Sequence, residues 1–229
     1  MGIGISYKLS LQSASIEQVR EKITALRNFV LTLPVAEVDA LVELAGDDCH
    51  MDKKDDNSPD PYLSLKIRAA EMIGYENKRF IFNNPTHLIG FECLSGRGCT
   101  IAAFGLGTLE EIQETNNWVW RIFCKTQYAS DPEYGGLDNF VQSHLRMIQI
   151  LDEAQRLGIH CKVDDDCDYW ETRDLQALTA AITSGNFLMA AVMGKISDAI
   201  APLGYKDSQV PIKDYPNFEY LEAEGNEQL

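Results

Sequence analysis

The sequence opens Met1-Gly2-Ile3-Gly4-Ile5-Ser6-Tyr7-Lys8 and lacks the basic segment and apolar core of a signal peptide. It also lacks any run of about 18 consecutive apolar residues, so no segment is expected to span a bilayer. Positive charge is scarce: 20 Lys and Arg stand against 35 Asp and Glu, a formal net charge of -15. That balance argues against nucleic acid and against an anionic membrane surface as partners, because both are held by many cationic contacts. No C-x-x-C clamp, nucleophile elbow G-x-S-x-G, H-E-x-x-H or P-loop occurs. Whether the chain is an enzyme is therefore left open, and neither a metal nor a cofactor is called for.

What is present points to a globular protein. The chain has 229 residues, of which 45% are hydrophobic, enough to bury a substantial core. Its six cysteines, Cys49, Cys93, Cys99, Cys124, Cys161 and Cys167, include two C-x5-C pairs. Cys93 and Cys99 flank the turn sequence Leu94-Ser95-Gly96-Arg97-Gly98 and could face each other across a hairpin. Without an export signal, reduced and buried thiols in a cytoplasmic protein are the simpler expectation.

The pattern along the chain is strand, helix, strand, then a strand-rich middle, then strand, helix, strand again. Residues 3–12 read as a strand. Ser15 and Gln18 form a capping-box pattern ahead of Ile16, Val19, Ile23, Leu26 and Val30 at helical spacing. Val35 to Leu44 reads as the second strand, and the acidic stretch 46–61 as a long surface loop. A helix is expected from about Tyr62 to Ile73, and a hairpin from His87–Leu94 and Cys99–Leu106.

Trp118 to Ala129 is the clearest strand. Its even positions are largely apolar, and Arg121, Phe123, Lys125 and Gln127 lie on the opposite face. A helix from Leu137 to Leu157 ends at Gly158, Ile159 to Val163 forms a strand, and a helical stripe runs from Thr172 to Ile200. The fold class expected is α+β, with a mixed, mainly antiparallel sheet, as in a ferredoxin-like duplication. Residues 1–202 form the single domain, and residues 203–229 an extended acidic tail. Most of the negative charge falls in residues 47–60, 164–168 and 214–229.

Arg121 and Lys125 with Phe123 and Gln127 make a local cationic surface that could hold a carboxylate or phosphate. The alternative is that both cations pair with carboxylates on neighbouring strands, such as Glu92. His144 and Tyr128 are the candidates for proton transfer, although a histidine on an apolar stripe also reads as a hydrogen-bonded core residue. The Asp164-Asp165-Asp166-Cys167-Asp168 loop offers oxygen ligands, but it also suits helix capping.

Phe123-Cys124-Lys125-Thr126-Gln127-Tyr128-Ala129, followed by Gly135-Gly136, Asn139-Phe140 and His144, resembles a family of uncharacterised bacterial proteins. Gly96-x-Gly98 with Phe104-Gly105-Leu106, and Tyr169-Trp170-Glu171-x-Arg173-Asp174, are similar to the same family's pattern. The resemblance spans about residues 85–180. It implies a bacterial origin and supplies no activity or catalytic residues.

Three functional readings follow. The first is a non-enzymatic binding or interaction protein, with a small anionic ligand, a protein partner or a second copy of itself. The second is an enzyme on a small anionic substrate, with Arg121 and Lys125 holding charge and His144 or Tyr128 moving protons. The third is an acidic inhibitor or immunity-type protein that captures a basic partner.

Overall fold

The computed structural model describes residues 3–51, 60–76, 79–109, 117–200, 202 and 210–227. The chain begins β1 (Gly4–Leu11), α1 (Ile16–Val30), β2 (Glu37–Val38), β3 (Val42–Ala45) and α2 (Leu63–Ala69). Five strands follow: β4 (Glu71–Glu76), β5 (Arg79–Asn83), β6 (His87–Leu94), β7 (Ala102–Thr108) and β8 (Trp118–Lys125). Then come α3 (Gly136–Arg156), β9 (His160–Asp165), α4 (Tyr169–Thr172), α5 (Leu175–Ile200) and α6 (Phe218–Glu227).

The fold is α+β. Seven strands form one sheet in the order β2-β6-β7-β8-β1-β9, with β3 also paired to β6, and every pairing is antiparallel. Within it β1-α1-β7-β8-α3-β9 reads β9-β1-β8-β7 across the sheet, the arrangement of a ferredoxin-like unit. The segment from β2 to β6 is inserted between α1 and β7 and widens that unit on one side.

Local chemistry accounts for the principal elements. In α1 the Ser15 side chain accepts from the Gln18 amide while the Gln18 side chain accepts from the Ser15 amide, closing the capping box. Val19, Ile23, Leu26 and Val30 of α1 are buried in one core with Met147, Ile148 and Leu151 of α3, and the two helices touch. Gly158, at φ 78°, supplies the left-handed residue that turns the chain out of α3 toward β9. In β8 the even positions Trp118, Trp120, Ile122 and Cys124 are buried, while Arg121 and Phe123 are exposed.

The sheet is split at its middle. β7 and β8 share only the Gly107–Val119 pair in register, and the strands rejoin where the Thr100 amide donates to Lys125 O (2.9 Å). Between these points the Ala103 carbonyl accepts from the Tyr7 hydroxyl (2.9 Å) and from the Trp120 indole N–H (2.9 Å). Two buried side chains thus take the place of missing ladder bonds. The Trp120 ring leaves no room at residue 105, where a Cβ would stand 3.0 Å from Cη2 and 2.6 Å from Ile89 O.

The structure corrects several expectations. Val35–Leu44 is not one strand; β2 and β3 are short pieces on β6, interrupted at Asp39–Leu41. The helix expected to Ile73 stops at Ala69, and Glu71–Glu76 pairs with Arg79–Asn83 as a separate two-stranded sheet. β8 ends at Lys125, and Gln127–Ser130 is a single 3-10 turn. The last long helix is broken at Arg173, at φ 55°, and Asp174 then caps α5 by accepting from the Gln176 amide (2.8 Å).

Residues 210–227 are not extended, since α6 packs along α5 through Leu221 with Ile212 and Tyr215. Residues 203–209, with 201, 228 and 229, lie outside the described residues, as do 52–59 of the acidic loop. α5 is long and apolar enough to cross a membrane by length and composition. Its docking against α6 and the 211–214 turn is compatible with a soluble protein.

Gly105→Ala should lower the stability to urea denaturation by about 1–3 kcal/mol, the usual cost of overpacking a closed site. An unchanged midpoint would contradict the close packing of Trp120 and Ile89 O against residue 105.

Candidate functional site

β1 lies between β8 and β9, so residues in register on these strands form rows across the sheet. Ile5, Tyr7 and Leu9 face the core with Cys124, Ile122 and Trp120 on one side and Asp165, Val163 and Cys161 on the other. The intervening positions face outward. Lys8 is paired with Arg121 of β8 and with Lys162 of β9, giving three cations side by side. Neighbouring strands are about 4.8 Å apart, so the row spans roughly 10 Å.

Directly opposed like charges destabilise a sheet, and this row has little to relieve it. Among the described residues, none of Lys8, Arg121 and Lys162 makes an ion pair or side-chain hydrogen bond. Glu92, the alternative partner weighed for Arg121, lies on β6, two strands away from β8. The row lines a shallow depression of about 460 Å³ with Ser6, Phe123 and Asp164. Asp164 is the one carboxylate in that lining. Phe123 is 44% exposed, and its ring lies over Gly4, where a Cβ would stand 2.7 Å from it. The surface therefore combines three cations, a half-exposed aromatic ring and a serine hydroxyl.

The other candidates lie elsewhere. Lys125 is outward on β8, but its ammonium donates to the Tyr128 hydroxyl (2.9 Å) and lies 4.1 Å from that ring's centroid. Gln127 is turned inward by the 3-10 turn. It accepts from the Ile3 amide (3.1 Å) and donates to Asn186 Oδ1 (3.2 Å), and Asn186 donates to Ser130 Oγ (2.8 Å). This network ties α5 to the end of β8.

His144 is fully buried on α3, with Nε2 3.0 Å from Asp165 Oδ2 and Nδ1 3.4 Å from Thr126 Oγ1. The carboxylate neighbour selects the tautomer protonated at Nε2. Asp165 also accepts from the amides of Cys167 (3.0 Å) and Trp170 (2.9 Å). Burial opposes its ionisation, but the bond to His144, its electrostatic attraction and the two amides outweigh this. The carboxyl is held below its ordinary value of 3.8. His144 and Arg121 thus occupy opposite faces of the sheet.

The carboxylates of the 164–168 loop are dispersed: Asp164 faces outward, Asp165 inward, and Asp166 accepts from the Gly4 amide (2.9 Å). Among the described residues no group of three or more His, Cys, Asp or Glu side chains is placed to hold a metal ion. All six cysteines are free thiols, Cys93 and Cys99 included. Burial pushes Cys93 up to about 12 and raises Cys124 well above its ordinary value, so Cys124 is no activated thiolate.

Lys8 and Lys162 were absent from the sequence-based candidates. Each stands between two core-facing residues, Tyr7 and Leu9 or Cys161 and Val163, which marks it as outward on its own strand. Only the register unites the three.

The depressed Asp165 carboxyl stabilises the fold above pH about 3.8, and this contribution is lost as pH falls through its lower native value. Asp165→Asn should cost about 3–5 kcal/mol at neutral pH and flatten the acid limb of stability below pH about 4. Urea titrations across that range measure both; a parallel acid limb in the variant would contradict the assignment. No protein-family model, curated protein or solved structure matches the chain, and the site's meaning rests on its geometry.

Proposed function

We propose that this is a non-enzymatic binding protein that holds a small multivalent anion, a polyphosphate or polycarboxylate, on the open face of β8, β1 and β9. The observation that carries this reading is the Arg121–Lys8–Lys162 row. An acidic protein gains nothing in stability from three cations in register, and Lys8 between the other two gives each of them a like-charged neighbour. An anion laid along the row removes that cost and gains charge-assisted hydrogen bonds from both kinds of cation. Arg121 offers a planar fork to one end of the ligand, while the two ammonium groups act as point charges along it. Ser6 adds a hydroxyl, and Phe123 a flat apolar wall for a planar substituent.

The role is binding rather than turnover because the groups best suited to move protons are committed elsewhere. His144 is sealed behind the sheet with Asp165, and the Tyr128 hydroxyl accepts from Lys125. Six free cysteines fit a reducing compartment, which supports the cytoplasm as the place of action.

Tripolyphosphate is a suitable probe, being long enough to reach all three cations. Isothermal titration at low salt should detect binding that weakens as salt rises. Lys8→Thr or Arg121→Ser should weaken it about 10-fold or more. Without the probe, Lys8→Thr should be more stable than the wild type by about 0.2–1 kcal/mol, because a repulsive pair is removed on each side. Absence of binding at millimolar probe, or equal binding by the variants, would refute the proposal.

A further inference from the structure

The cationic row does not end at Arg121. That residue also lines a second cavity, of about 120 Å³, together with Arg68 and Ala69 of α2, Glu71 of β4 and Gly107 of β7. Arg121 is the one residue common to this cavity and to the depression along the row.

The packing of α2 on the sheet creates the cavity. The helix lies across β6, β7 and β8, and at Gly107 it comes so near that a Cβ would stand 2.5 Å from the Ala69 Cβ. A glycine in the strand permits this approach. Ala69 and Ala70 add little bulk, so the last turn of α2 sets Arg68 into the same cavity as Arg121.

Both arginines are unpaired there. The Nε of Arg68 is shielded from solvent and has no hydrogen-bond partner. Leaving a buried donor unsatisfied costs stability. Among the described residues the Arg68 guanidinium makes no ion pair either. Glu71 is the only carboxylate in the lining; it is exposed and pairs with neither arginine. Two guanidinium groups without a counter-charge therefore line one small space.

We infer that Arg68 and Arg121 form a socket for a terminal phosphoryl group, so that the anion held on the row is phosphate-terminated rather than a polycarboxylate. This inference rests on the proposed function and names the class of its ligand. Size and charge carry it. The cavity is the space of about four waters, which a single tetrahedral group fills. A carboxylate presents two oxygens, and one guanidinium fork matches them. A terminal phosphoryl presents three oxygens and carries a charge of about -1.5 to -2 at pH 7, so it takes a fork from each arginine. The rest of a linear ligand then runs from Arg121 along Lys8 and Lys162.

Isothermal titration at low salt tests the inference with two probes of similar charge, tripolyphosphate and butanetetracarboxylate. Only the first ends in phosphoryl groups. The wild type should prefer it by about 10-fold or more. Arg68→Met should erase that preference by weakening tripolyphosphate while changing the tetracarboxylate little. Arg68→Lys keeps the charge without the fork and should restore only part of the preference. Thermal melts establish that each variant is folded. Equal affinity of the wild type for the two probes would overturn the inference, as would a preference that survives Arg68→Met. Either result leaves the row intact if Lys8→Thr still weakens tripolyphosphate. Conversely, tripolyphosphate binding that needs Arg68 and is indifferent to Lys8→Thr would keep the socket and remove the row. No binding of either probe at millimolar concentration would remove both.

Discussion

The Ala103 carbonyl, accepting from Tyr7 and Trp120 together, is the constraint on which the sheet's shape depends. A continuous ladder would have joined β7 to β8 directly and left no space for an indole between them. With the ladder reduced to one pair, the large rings become the mortar of the split, and the acceptor they share stays satisfied. The cost is exact fit: Gly105 must be bare where the Trp120 ring arrives, and Gly90 beside it is similarly crowded. On one side of the split, β6 and β7 carry the inserted strands, and α2 lies across β6, β7 and β8. On the other, β8, β1 and β9 form a three-stranded platform backed by α3.

That platform has two unlike faces, and the contrast gives the functional account its force. On the inner face Asp165 is held by His144 and two amides, and the Tyr7 hydroxyl donates to Ala103 O. The outer face sets Lys8 between Arg121 and Lys162, with only Asp164 nearby to balance them. A protein with 15 more acidic than basic residues has ample carboxylates to neutralise three cations. None of the described ones forms an ion pair with them. Under the proposed function, an anion laid along the row would supply the charge these side chains lack.

How much of this the sequence disclosed follows from how far each signal reaches along the chain. The capping box at Ser15 and Gln18, the alternation of β8 and the stop at Gly158 are written in a few adjacent residues, and all three were legible. So was the separation of Arg121 and Phe123 from the buried side of their strand. The row itself was not legible, because Lys8, Arg121 and Lys162 are joined only by strand register over more than 100 residues. Gln127 was misplaced for a related reason. Alternation predicted it outward, but the 3-10 turn after Lys125 rotates it toward Asn186. The β4–β5 hairpin was not legible because Met72 and Ile73 prolong the apolar pattern of the helix expected from Tyr62, and only the pairing of Met72 with Phe82 reveals a strand. α6 was hidden by the prolines ahead of it, which suggested an extended tail.

The most direct test of the central claim is an amide chemical-shift map of the protein titrated with tripolyphosphate. The account predicts saturable shifts concentrated in residues 6–10, 119–123 and 160–164, the outward-facing stretches of the three strands. Shifts confined to other parts of the molecule, or none up to millimolar probe, would contradict it.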